Sequence, residues 1–139
     1  MTMTDQLGWL AEKYTAAWCT RDAASVAAFY SLDGWLSING GPPAVGRSAI
    51  AGVAQGFMTA FPDLKVLMDG LDVQEERVVY RWSLVGTNTG PGGTRKRVRI
   101  SGFEEWCIGV DGLIAESRGH FDSTEYQRQL ERGVDESKP

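Results

Sequence analysis

The sequence is poor in the residues that bind metal ions and form disulfides. It contains one histidine and two cysteines. Cys19 and Cys107 lie far apart with no C-x-x-C spacing, and one imidazole is too few for a clustered metal site. We therefore expect two free thiols and no metal.

Long apolar runs and an excess of basic charge are also missing. No stretch approaches the roughly 20 apolar residues of a membrane span. Residues 1–5 lack the basic and apolar pattern of a signal peptide. The formal net charge of −4 argues against binding to nucleic acid or to an anionic membrane. These absences predict a cytoplasmic protein whose partner is a small molecule, with no nucleic acid and no membrane.

Aromatic side chains are well represented by comparison. The chain has five tryptophans in 139 residues, and tryptophan supplies rigid apolar surface with one donor, which suits the wall of a ligand cavity. The length fits a single domain with a real core. We expect one domain over residues 1–139, with 133–139 as a flexible tail.

The apolar pattern changes period along the chain. Helical spacing predicts helices over residues 4–19, around 26–30 and from an N-cap at Ser48 to Pro62, with a short strand at 35–38 between the last two. From Asp63 onward a period of two predicts about four long antiparallel strands, followed by a closing helix at 123–132. Three helices against one face of a strongly bent antiparallel sheet make an α+β fold, a cone with a single mouth.

Several stretches resemble the SnoaL-like polyketide cyclases, a branch of the nuclear transport factor 2-like (cystatin-like) superfamily. They are RVVYRWSLVGTN at 77–88, VDGLIAE at 110–116, HFD at 120–122 and YQRQL at 126–130. The resemblance implies a cone-shaped α+β barrel. It also implies an intramolecular aldol ring closure on an aromatic polyketide intermediate, without metal or cofactor.

The resemblance places the general acid/base at Asp122, with Asn39 near the mouth of the cone. Asp122 also precedes Glu125 by three residues, which is the spacing of a capping box, so a purely structural role is the competing interpretation. His120 lies two positions earlier on the same face of the predicted strand. It is expected either to orient Asp122 or to hydrogen-bond a substrate oxygen.

Further side chains are candidates for substrate binding. Arg81 is expected either to pair with Glu104 or Glu105 across the sheet or to hold an anionic oxygen in the cavity. Tyr14 falls on the apolar face of the first helix and is expected to pack in the core. The alternative follows from the related ketosteroid isomerases, in which a tyrosine on this helix polarises a carbonyl.

Three tryptophans are assigned either to the core or to the pocket wall, and the sequence does not separate the two. They are Trp35, Trp82 and Trp106. The strand from Val78 to Val85 is apolar on both faces, which predicts a homodimer that covers the outer one.

Other functions remain open. A limonene-type epoxide hydrolase would need a carboxylate where this chain has Gly119, and a ketosteroid isomerase would need an aspartate near Asn39. Another isomerase or dehydratase of the same cone and a non-catalytic carrier or assembly domain are the remaining alternatives.

Overall fold

A computed structural model describes residues 2–75 and 77–134 of the chain. The helices are α1 (Met3–Cys19), α2 (Ala23–Ala27), α3 (Arg47–Ala60) and α4 (Ser123–Arg132). The strands are β1 (Tyr30–Ile38), β2 (Ala44–Val45), β3 (Lys65–Val73), β4 (Val78–Thr87), β5 (Arg97–Ile108) and β6 (Ile114–Phe121). The predicted α+β class is confirmed. None of the helices in these ranges is long and apolar enough to cross a membrane.

The strands form one curved sheet in the order β2-β1-β6-β5-β4-β3. Neighbouring strands are antiparallel except for β1 and β6, which run parallel. The register shifts within β3 between Met68 and Gly70 and within β5 between Cys107 and Ile108. Such irregularities bend a strand and increase its twist, which lets the sheet curve around its helices.

The sheet has an inner face against the helices and an outer face away from them. On β4 the inner positions are Tyr80, Trp82 and Leu84, and their partners on β5 are Glu104, Gly102 and Ile100. Helix α1 packs on β3, α3 on β1 and α4 on β5. The period of two thus directs every second side chain into the space between sheet and helices.

Some local predictions were wrong. Helix α3 begins after Gly46, which has a φ of 88° and offers no side-chain cap, so Ser48 is not the N-cap. Helix α2 ends at Ala27, and Tyr30 opens β1 instead of continuing the helix.

The predicted flexible tail lies mostly outside the described residues. Of its first two residues, Gly133 donates its backbone N–H to Gln129 O at 2.6 Å, and Val134 donates to Arg97 O at 3.0 Å. The helix that precedes this tail, α4, spans Ser123–Arg132 as predicted.

Candidate functional site

A cavity of about 70 Å³ lies between the inner face of the sheet and helices α1, α3 and α4. Its aromatic lining residues are Tyr14, Trp18, Phe57, Tyr80, Trp82, Phe121 and Tyr126. Aliphatic side chains supply most of the rest, and Glu104 is the one carboxylate among the described residues that line it. The cavity is therefore apolar with a single acidic group, the usual make-up of a small-molecule site.

The carboxyl group of Glu104 is held by neutral donors. Its Oε1 accepts from Ser117 Oγ at 2.6 Å, from Tyr14 Oη and Trp106 Nε1 at 3.1 Å each, and from Tyr30 Oη at 3.3 Å. Its Oε2 is reached only by Tyr14 Oη, at 3.2 Å, among the described residues. Oε1 is therefore saturated, and Oε2 is the oxygen with hydrogen-bonding capacity left.

Burial dominates the protonation of this group. The Glu104 side chain belongs to a residue only 7% exposed, and desolvation raises its pKa above the ordinary 4.5 although hydrogen bonds from Ser117, Trp106 and the tyrosines oppose the shift. Burial, together with the nearby carboxylate, also raises the pKa of Tyr14 and Tyr30 well above 10. Both phenols therefore stay protonated at neutral pH and remain donors.

Trp82 is a lining residue that carries a buried polar atom. Its indole Nε1 is buried and has no hydrogen-bond partner among the described residues. The ring packs edge-on against Phe121, with centroids 6.1 Å apart. It lies so close to Gly102 that a Cβ there would come within 2.7 Å of its Cζ2. The glycine on the facing strand thus leaves room for the indole ring.

Two of the predicted binding residues, Tyr14 and Trp82, line the cavity. Tyr14 is fully buried, as the core interpretation predicts, and it also contacts Glu104. Its role towards a substrate carbonyl stays a prediction. Trp106 is fully buried beside the cavity, stacks on Tyr80 at 4.8 Å and donates to Glu104. It is a supporting residue and not part of the lining.

Asp122 lies at the N-terminus of α4, outside the cavity lining. Its Oδ1 accepts from the backbone N–H of Glu125 at 3.0 Å, and the residue is exposed. This is the capping interpretation of the sequence pattern. The catalytic role of Asp122 stays a prediction that this geometry does not favour.

His120 lies on the outer face of β6. Alternation along the strand turns Ser117 and Phe121 inward and His120 outward. The imidazole Nε2 lies 3.0 Å from Glu105 Oε1, and the ring stacks on Phe103 at 4.7 Å. The contacts of His120 are thus with the outer face and not with Asp122, and its catalytic role likewise stays a prediction.

Arg81 also faces outward and does not line the cavity, and its ion pair is with neither Glu104 nor Glu105, so both expectations for it were wrong. Its cross-strand neighbour is Phe103, and its guanidinium lies 3.4 Å from Asp72. Arg81 and Glu104 occupy opposite faces of the sheet, so parity excludes that pair. Glu105 shares the outer face with Arg81 but contacts Arg77 and His120 instead.

Trp35 and Asn39 take structural positions. The Arg118 guanidinium lies 4.9 Å from the centroid of the Trp35 ring, outside the cavity lining. Asn39 has a φ of 51° at the end of β1, and its Oδ1 accepts from Phe121 N at 2.9 Å. Asn39 therefore links β1 to β6 by a hydrogen bond. Its predicted position near the mouth of the cone did not indicate this structural role.

Sequence reasoning gave Glu104 no site role, although it is the central polar group of the cavity. A signal was present, since Val98, Ile100, Glu104 and Trp106 all fall on alternate positions of one strand. An acidic residue on the apolar side of a strand is seldom buried unless it is bonded to partners or functional. This alternation could have identified Glu104 as a buried acid, but it could not have identified the side chains that donate hydrogen bonds to it.

A sheet that curves around an apolar cavity and is closed by helices is the ketosteroid isomerase-like, or nuclear transport factor 2-like, fold. A protein of this fold from Catenulispora acidiphila, solved with trimethylamine, superposes with a TM-score of 0.76 at 13% identity, covering 87% of this chain and 91% of that one. AclR from Streptomyces galilaeus, a proposed hydroxylase, gives 0.78 at 24% identity, covering 99% and 87%. A proposed polyketide cyclase from Xanthomonas campestris gives 0.72 at 20%, covering 93% and 99%. These likenesses show the fold.

The family is shown by the sequence itself. The profile of the SnoaL-like polyketide cyclases matches residues 9–130, so the chain belongs to that family. No functionally curated protein matches the chain in sequence.

Proposed function

We propose that this protein binds a small, apolar, oxygenated molecule in the cavity and closes a ring in it by an intramolecular aldol reaction. Glu104 acts as the acid/base. The observation that carries the proposal is a buried carboxyl group of raised pKa, with one oxygen saturated by donors and the other available, in the wall of an apolar cavity. A raised pKa suits proton transfer near neutral pH.

The reaction needs one proton to move and no external reagent. Ionised Glu104 takes a proton from the carbon next to a ketone, through Oε2, and leaves an enolate. The enolate carbon attacks a second carbonyl carbon of the same molecule, so that a C–C bond forms and the π electrons of that carbonyl pass to its oxygen. Glu104 then returns the proton to this oxygen, and the product is an isomer of the substrate.

The donors around Oε1 have a defined part in this cycle. Ser117 and Trp106 fix the carboxyl group from its strand side, so that Oε2 keeps one position while the proton moves. Tyr14 reaches both oxygens and can follow the charge as it shifts between them. Such preorganised donors stabilise charge without reorganisation during the reaction.

The size of the cavity limits the substrate. Its volume of about 70 Å³ is several times the roughly 10–15 Å³ that one water needs. It is well below the roughly 300 Å³ at which pockets for drug-sized ligands begin. A compact, one-ring product is therefore favoured over a fused polyketide, which would require the helices to move away from the sheet.

The test uses heptane-2,6-dione, a small diketone that closes to a six-membered ring by an aldol step. Wild-type protein is expected to accelerate ring closure, and Glu104→Gln is expected to lose on the order of 10²–10⁴-fold in rate with an unchanged fold. Asp122→Asn is the matched control, because it removes an exposed carboxyl and keeps the cap. Full activity in Glu104→Gln together with a loss in Asp122→Asn would transfer the role to Asp122.

A non-catalytic carrier is the second candidate. It is favoured by the same hydrogen bonds, since four donors on Oε1 explain a buried glutamate without any chemistry. In that case the dione would bind to wild type and to Glu104→Gln, and neither would turn it over. Binding without turnover would replace the enzyme proposal with the carrier.

A further inference from the structure

We propose that Gly119 is a specificity-determining residue, because the absence of a side chain there makes room for the ligand beside Glu104. The inference rests on the proposed function, since it concerns the same cavity. It assigns to the ligand the space that a methyl group at this position would fill. Gly119 therefore sets the largest carbonyl compound that the cavity admits.

Gly119 lies on the inner face of β6, between two residues that line the cavity. It pairs with Ile38 on β1 and with Glu104 on β5. Alternation along β6 gives it the same direction as Ser117, which donates to Glu104, and as Phe121, which lines the cavity. Gly119, Ile38 and Glu104 are all lining residues. A side chain at this position would therefore project into the cavity.

Neither the backbone conformation nor the packing requires a glycine here. Gly119 does not have the positive φ that favours glycine. A Cβ at this position would lie 3.4 Å from Ser37 O, 3.9 Å from Glu104 Cγ and 4.0 Å from Ile38 Cγ1, which are ordinary van der Waals distances. Glycine inside a strand weakens it, because it loses more conformational entropy on folding and packs no side chain. Alanine would therefore fit and stabilise the strand, so the glycine serves another purpose.

Gly102, on the inner face of β5, has the structural reason that Gly119 lacks. A Cβ there would clash with the backbone oxygen of His120 and lie 2.7 Å from Cζ2 of Trp82. The room at Gly119 opens instead on the cavity. The cavity holds only about 70 Å³, of which one water would take roughly 10–15 Å³. A methyl group is larger than water, so it would remove a sizeable part of the space beside Glu104.

The experiment compares heptane-2,6-dione with 5-oxohexanal, which also closes to a six-membered ring but has one methyl group fewer. Gly119→Ala should lower kcat/KM for the dione relative to 5-oxohexanal by about 10-fold or more, the discrimination that one such group gives in an apolar pocket. Comparing this ratio between wild type and variant cancels the higher intrinsic reactivity of the aldehyde. If wild type binds both compounds without turnover, the same ratio is taken from the affinities.

Gly70→Ala is the matched control. Gly70 is also a strand glycine, it lies outside the cavity lining, and a Cβ there would meet only the Arg81 side chain, at 3.6 Å from its Cδ. Its ratio should equal that of wild type. A loss in Gly119→Ala that is equal for the two compounds would indicate a disturbed Glu104 and not a size limit, and it would overturn the inference.

Urea unfolding and xenon binding test the inference without either compound. Gly119→Ala should unfold at the same urea concentration as wild type or at a higher one, since the methyl group fits and alanine restricts the unfolded chain. A lower midpoint would show that packing requires the glycine, which overturns the inference. Apolar cavities bind xenon, and the affinity for xenon, measured by ¹²⁹Xe NMR, should fall in Gly119→Ala but not in Gly70→Ala.

The xenon measurement separates this inference from the proposed function. If wild type does not bind xenon, or Gly119→Ala binds it as wild type does, the space at Gly119 is not part of a ligand cavity and the inference is overturned. If the xenon affinity falls as expected but wild type neither binds nor turns over the two dicarbonyl compounds, the ring-closing function fails and the size limit at Gly119 stands.

Discussion

Replacing Glu104 with glutamine should change how the stability of the protein depends on pH. Desolvation raises the pKa of Glu104 in the folded state above its ordinary value of 4.5. Between those two pKa values the folded protein therefore binds more protons than the unfolded chain. The free energy of unfolding then falls as pH rises through this window. Glutamine is neutral at every pH, so the variant should lack this contribution.

The structure sets the size of the effect. Glu104 is only 7% exposed, so solvent screens its charge little, and each unit of pKa difference corresponds to about 1.4 kcal/mol. Below pH 4.5 the acid and the amide make similar contacts, because the amide oxygen can accept from Ser117 and Trp106 as Oε1 does. The two proteins should be about equally stable there. Above it, the variant should gain on wild type by up to about 1.4 kcal/mol per pH unit until the folded pKa is passed.

Urea unfolding curves at intervals from pH 4 to pH 8 measure this difference. Asp122→Asn serves as the reference for removal of a carboxyl at an exposed cap. Groups common to the proteins cancel in the comparison. Parallel pH profiles for wild type and Glu104→Gln would refute the raised pKa, and with it the basis of the acid/base assignment.

Three further changes test other parts of the structure. Asp122→Ala should lower the free energy of unfolding by about 0.5–2 kcal/mol, whereas Asp122→Asn should hardly change it, because asparagine also caps helices. Thermal melts of the two variants measure this difference, and equal losses in both would contradict the capping role. Tyr14→Phe removes a donor from both oxygens of Glu104, so the pKa of Glu104 should rise further. The pH–rate profile should then move to higher pH, and an unchanged profile would count against the contact. The outer face of β4 carries Val79 and Val85, and light scattering should report a dimer of the 15.2 kDa chain that Val85→Glu weakens; a monomeric wild type would disprove it.

The sequence alone could predict what depends on neighbours along the chain. Helix α4 has its cap at Asp122 and ends where the pattern ends, since capping and amphipathic spacing are local properties. The strands β4 to β6 follow from the period of two. Trp82 is a candidate for the core or the pocket wall because it is a large aromatic, and it lines the cavity. Tyr14 lines it too, but its apolar position predicts only core packing, and the pocket role comes from the resemblance to the ketosteroid isomerases.

Only the tertiary structure decided which face of each strand is exposed to solvent and which side chains are in contact. A shift of one residue exchanges the two faces of a strand, and the irregularities in β3 and β5 are not visible in the pattern. The parallel pairing of β1 with β6 joins distant parts of the chain, and it carries Tyr30 and Ser117 to the same glutamate. The protonation of Glu104 depends on that assembly, because desolvation arises from everything packed around a group and not from its neighbours in sequence.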